Sequence, residues 1–245
     1  MRPVNWTYAI GEVLLIVIGV SIALGVNAWY EHRLDRINER EYLCRLYKDI
    51  SDDINRFDGF ATRLEKKAET LKDLLLETDE SLMARSLTAL ADDLARSDTV
   101  SLTAIQTVTF DDLRSTGRLV LLRNANVRAA LADYYRRYEL MSQIFAESHG
   151  PYKRILAGAI PGQAEFDRRI NGKPIERTAL LRGLQNLRSH SEFEPAVNAE
   201  LSYTAGLLDW TRNFQTDAKE LAKLLGGDIV GEQDDSDLAI ECFVE

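Results

Sequence analysis

Glu12 opens an otherwise uncharged run, Val13 to Tyr30, that reads VLLIVIGVSIALGVNAWY. A carboxylate at membrane depth is a functional candidate by default, as a proton or ion ligand or as the partner of a basic residue on another helix. The plainer account is a first-turn glutamate that reaches headgroup water and gains from the positive helix N-terminus. Gly19, Ala23 and Asn27 recur at every fourth position, on a face that Glu12 shares through its i+7 spacing to Gly19. Small residues at that spacing let two helix backbones approach closely, and an asparagine adds an interhelical hydrogen bond. Glu12, Gly19, Ala23 and Asn27 are therefore the candidate residues of a membrane-helix contact.

No other residue set points to chemistry. His32, His149 and His190 lie far apart, with no second ligand three or four residues away, so a di-metal site within a bundle is unsupported. The Asp-Asp pairs at 52–53, 92–93, 111–112 and 234–235 lack the glycine and distal glutamate of a calcium loop, and read as solvated faces or caps. Tyr134, Tyr135 and Tyr138, with Arg136 and Arg137, would suit a ligand pocket, but such tyrosines are more often core bodies with wet hydroxyls. A nucleophile elbow, a phosphate loop and a Cys–His neighbourhood are all missing. The reading is non-enzymatic, with no catalytic, cofactor or metal residues assigned.

The element that positions the candidates is the apolar run itself. Eighteen uncharged residues suffice for a helix crossing a hydrocarbon core of roughly 30 Å. Trp6 and Tyr8 precede it and Trp29 and Tyr30 close it, where an interfacial belt would place aromatics. A cleaved secretory signal is the rival, with Val26-Asn27-Ala28 as a small-residue cut site. Glu12 where an apolar region should begin, and a helical pattern that continues past the cut, favour a retained anchor.

From Leu43 an apolar series follows at alternating steps of four and three: Leu43, Tyr47, Ile50, Ile54, Phe57, Ala61, Leu64, Ala68, Leu71, Leu75. This is a heptad seam, and no proline occurs between Pro3 and Pro151, so the membrane helix is expected to run on into a stalk ending near Thr78. Further helices are expected over 81–97 with Ser81 as cap, from Thr109 to a stop at Gly117, from Asn124 through Phe145, over 176–188, and from Glu194 to a stop at Gly226-Gly227. RLVLL at 118–122 reads as a buried link. With no alternating strand pattern, the fold class is all-α: one N-terminal transmembrane helix continuing into an elongated helical bundle. The expected division is a tail and transmembrane helix over 1–30, a bundle over 31–227 and an acidic tail over 228–245.

Tyr8-Ala-Ile-Gly-Glu12, the aliphatic run, and Asn27-Ala-Trp29-Tyr-Glu31 resemble the start of a bacterial family of uncharacterised single-pass membrane proteins. Thr109-Phe-Asp-Asp-Leu113-Arg-Ser115-Thr-Gly117-Arg-Leu119, with Asn124, Leu131 and Tyr134-Tyr135, is similar to that family's second signature. The resemblance implies a helical domain on a membrane anchor and carries no activity with it.

Net charge is −9, and the first thirty residues contribute none of it, because Arg2 offsets Glu12. That argues against nucleic acid, whose phosphates demand clustered Lys and Arg. Two cysteines, Cys44 and Cys242, exclude a disulfide framework, and a bond between them requires an oxidising compartment and a tail that folds back. Arg33, Arg36, Arg40, Arg45 and Lys48 follow the anchor while Arg2 precedes it, so positive-inside counting leans toward a cytoplasmic domain on the bacterial inner membrane. The expected partners are the lipid bilayer and a second copy of the chain or another membrane protein. The expected role is an assembly or scaffold subunit; the alternative is a ligand-sensing bundle that signals through the membrane helix to a separate protein.

Overall fold

The computed structural model describes residues 6–98, 102–146, 150–159, 176–231 and 242. No strand occurs among them. Helix α1, Trp6–Leu76, runs unbroken for 71 residues through the apolar segment and the whole heptad stretch, as the absence of proline predicts. It is long and apolar enough to cross a membrane near its N-terminus. After it come α2 (Asp79–Ala84), α3 (Leu87–Asp98), α4 (Val108–Ser115), a 3-10 turn (Arg118–Leu121), α5 (Ala125–Ala146), α6 (Pro151–Ala159), α7 (Arg177–Arg188) and α8 (Phe193–Gly231).

Several boundaries depart from the sequence expectation, each for a local reason. The helix expected over 81–97 is two, broken at Arg85-Ser86. Thr78, rather than Ser81, caps α2, its side chain accepting from the Ser81 N–H, and Arg85 leaves the helix with extended backbone. Ser86 then starts α3 by accepting from the Ala89 N–H. Thr109 does not cap α4, which begins one residue earlier, but Gly117 ends that segment with a left-handed φ of 70°, the conformation glycine reaches at no steric cost. In the 118–122 link only Leu122 is buried, and Val120 is exposed. Asn124 does cap α5, its Oδ1 accepting from the Asn126 N–H. Gly226-Gly227 does not stop α8, which continues to Gly231. Leu225 and Ile229 carry its apolar face across the pair, and a Cβ on Gly226 would stand in ordinary contact with the Tyr47 ring, at 3.7 Å.

The chain divides into two compact units: residues 1–48, 107–130 and 223–245, and residues 49–106 and 131–222. Within the first, polar side chains fasten the 107–130 segment to α1. Tyr42 donates its hydroxyl to Asp112 at 2.8 Å and accepts from Arg118 at 3.2 Å, while Arg123 donates through its backbone N–H and its Nε to the buried Glu39. Asn124 donates to Asp228 of α8 at 2.8 Å.

Within the second unit, one core joins α1, α5 and α8 around Phe57, Tyr134, Trp210 and Phe214, with Tyr134 stacked on Phe214 at 4.6 Å between ring centres. Another gathers Leu71 and Leu74 of α1 with leucines of α2, α3, α6 and α7. Arg85 ties this corner together by donating to Asp73, Glu77 and Asp93, and Arg188 donates to the carbonyls of Leu74 and Glu77. The Leu74 carbonyl is in the last turn of α1 and that of Glu77 follows directly after it, where a helix leaves its last acceptors unpaired.

The seam of α1 is buried, with every second predicted position deep and the alternate ones shifted by a residue. Leu43, Ile50, Phe57, Leu64 and Leu71 are enclosed, whereas Tyr47, Ile54, Ala61, Ala68 and Leu75 are only half-buried. Leu46, Asp53, Phe60, Lys67 and Leu74 take the deep alternate positions instead. The heptad spacing holds, displaced by one residue at every second step. Two of the five displaced positions are charged.

Candidate functional site

The predicted membrane-contact residues all lie on α1. Glu12, Gly19, Ala23 and Asn27 are exposed, and a Cβ added at Gly19 would meet nothing within 4 Å. Asn27 donates its side-chain amide to Glu31 one turn on, at 2.8 Å. The face is therefore open along its length, with an asparagine already engaged within its own helix.

The structure brings together a different constellation, around Asp53. Its side chain is fully enclosed at a seam position of α1. One oxygen accepts the Gln106 N–H at 2.9 Å, and the other accepts the Tyr134 hydroxyl at 2.9 Å. Burial is the largest influence on its pKa and outweighs both hydrogen bonds and the nearby Arg56, so the carboxyl is pushed up to about 6. Asp49, one turn earlier, adds a smaller upward push, and its Oδ2 is buried with no hydrogen-bond partner among the described residues. Burial, followed by the charge of Asp53 and its hydrogen bond, raises the Tyr134 hydroxyl far above the ordinary phenol range. Tyr134 therefore stays a proton donor.

The tyrosines of α5 are thus structural in their contacts. Tyr135 and Tyr138 donate to the carbonyls of Gln106 and Thr103, at 3.1 and 2.7 Å, so three successive inward hydroxyls hold the strand-free segment 103–106 and Asp53 in one network. Of the three Asp-Asp pairs among the described residues, 52–53 is the one whose reading changes: Asp52 is exposed as expected, but Asp53 is core; the pair 234–235 lies outside the described residues. The apolar series skipped Asp53 because it is charged. The legible signal was its seven-residue spacing from Leu46 and Phe60, which marks the same helix face.

A second buried polar pair lies further along α1. Lys67 donates to Glu200 of α8 at 2.6 Å, with both side chains nearly inaccessible. A Cβ on Gly150 would come within 2.8 Å of the other Glu200 oxygen, so the backbone closes tightly over this carboxylate. In both clusters the principal buried groups are paired with one another: Asp53 with Gln106 and Tyr134, and Lys67 with Glu200. No group of three or more His, Cys, Asp or Glu among the described residues has the arrangement of a metal site.

The two cysteines are bonded to each other. Cys44 of α1 and Cys242 join across 198 residues, with their α-carbons 5.4 Å apart, inside the usual span for a disulfide. Cys242 therefore lies against α1.

A family model described as a family of unknown function, DUF6090, matches residues 12–158, and the chain belongs to that family. The matched segment includes Asn27–Glu31 and the whole block from Thr109 to Tyr135, the stretches that carried the resemblance in the sequence, but only the last residue of Tyr8–Glu12. No curated protein and no solved structure matches the chain.

Proposed function

We propose that this protein is a membrane-anchored, non-enzymatic assembly or scaffold subunit of the bacterial inner membrane, self-associating through its anchor. The observation that carries the reading is the continuity of α1. One unbroken helix supplies both the apolar span and the central seam of the helices that follow. A contact made in the bilayer is thereby coupled to the soluble part without a flexible joint.

What supports the anchor as the contact is that the stalk seam is filled by the chain's own side chains, whereas the Gly19 face is open. Lipid tails are as apolar as leucine, so helices in a bilayer associate by close packing and hydrogen bonding, which small residues and asparagine provide. The buried polar groups Asp53, Lys67, Glu200 and Glu39 are engaged with neighbouring groups of the chain, which supports a structural role for them.

Light scattering of the full-length protein in mild detergent tests this. An oligomer is expected, weakened by Gly19→Leu and unaffected by Val17→Leu on the opposite face. Because nothing packs near Gly19 within the chain, Gly19→Leu leaves the fold intact and reads the contact alone. A monomer at micromolar concentration would defeat the proposal.

A further inference from the structure

The disulfide gives the side of the membrane. Resting on the anchor reading, we infer that the helices after the span stand in the oxidising compartment outside the cytoplasm, and that Cys44 and Cys242 are joined there as a substrate pair for a thiol–disulfide oxidoreductase. The chain has two cysteines and no more, and the fold brings them together from positions 198 residues apart. Persistent protein disulfides belong to the periplasm and the cell exterior, because glutathione and thioredoxin keep cytosolic thiols reduced.

The basic residues that follow the span point the other way. That count governs short loops, however, and a long domain translocates largely regardless of its flanking charge. Here well over half of the chain follows Tyr30. Nothing comparable offsets the chemistry of the bond, which a reducing compartment would break.

Formation of the bond balances as two exchanges. One thiolate of the pair attacks the disulfide of the oxidoreductase, forming a mixed disulfide and expelling one enzyme thiolate. The second cysteine, as thiolate, then attacks the sulfur of its partner in that mixed disulfide and releases the enzyme's other sulfur. The chain loses two protons and two electrons, and the enzyme disulfide becomes a dithiol. Cys44 lies fourteen residues beyond Tyr30, about 20 Å along the helix axis at 1.5 Å per residue, within reach of a soluble enzyme.

The test uses the full chain in bacterial membranes. Cells are quenched with acid and alkylated with a bulky maleimide before and after reduction, and parallel C-terminal fusions carry alkaline phosphatase or a cytoplasm-restricted fluorescent protein. The expected result is no label before reduction, a mobility shift of two labels after it, an active phosphatase fusion and a dark fluorescent one. Cys44→Ser and Cys242→Ser should each expose one thiol that labels without reduction. Two free thiols in quenched wild-type cells would overturn the inference, and so would a fluorescent fusion with an inactive phosphatase. Carbonate extraction separates this from failure of the anchor. Oxidised protein released from the membrane would sink the anchor reading and leave the compartment standing, while retained protein with free thiols would do the reverse.

Discussion

Asp53→Asn isolates the cost of a buried charge on the central helix. The carboxyl lies in the α1 seam, and its folded-state pKa is raised from 3.8 to about 6, chiefly by burial. A raised carboxyl pKa means that the folded chain holds the proton more tightly than the unfolded one. The stabilisation this gives is fully present below about pH 4 and is lost as the pH rises through about 6. A shift of roughly two units corresponds to about 3 kcal/mol at full weight, and residual solvent screening brings the expectation to about 1–3 kcal/mol. Asparagine has the same shape and no charge; its Oδ1 can accept the Gln106 N–H while its amide donates to the Tyr134 hydroxyl oxygen. The assay is urea unfolding of both proteins in mild detergent, followed by helical circular dichroism between about pH 4 and pH 8, the window set by linkage. Titrating groups remote from Asp53 are common to the two and cancel in the difference. The variant should gain on the wild type as pH rises through 6, by about 1–3 kcal/mol at the top of the range. A difference that is flat with pH would refute the reasoning. A variant that loses ground as pH rises would show that the ionised form is held by its hydrogen bonds more strongly than burial opposes it.

Lys67→Met leaves the Glu200 carboxylate buried without its partner and should cost about 3–5 kcal/mol, whereas the double change Lys67→Met with Glu200→Leu should recover most of that loss in urea unfolding. Cys44→Ser opens a closed loop of 198 residues and should lower stability by about 2–4 kcal/mol, read from the urea midpoint under oxidising conditions and absent when both proteins are reduced. Gly226→Ala should hold or raise the melting temperature, by up to about 1 kcal/mol of helix propensity, because its Cβ would rest in ordinary contact with Tyr47; Gly117→Ala, at a φ of 70°, should lower it by about 1 kcal/mol.

The helical class, the unbroken first helix and the cap at Asn124 were legible because each rests on local rules: apolar periodicity, absence of proline, a capping side chain. The phase of the seam was not. Reading apolar residues alone passes over Asp53 for Ile54 and over Lys67 for Ala68, because aspartate and lysine are assumed to face water. Tertiary context overrides that assumption at Asp53 and Lys67, where partners arrive from distant segments: Gln106 from a connecting segment, Tyr134 from α5 and Glu200 from α8. The disulfide was equally out of reach, since spacing says nothing about whether residue 242 returns to residue 44.

These buried charges also decide what can cover the stalk. In a symmetric parallel dimer packed through the seam, Asp53 would face the Asp53 of its partner and Lys67 would face Lys67. Like charges brought together without water repel, and neither would find the hydroxyl, amide or carboxylate it has within its own chain. The seam is thus chemically matched to α5 and α8 and mismatched to itself. The self-association proposed above therefore uses the exposed face of Glu12, Gly19, Ala23 and Asn27 on the same helix and not the seam.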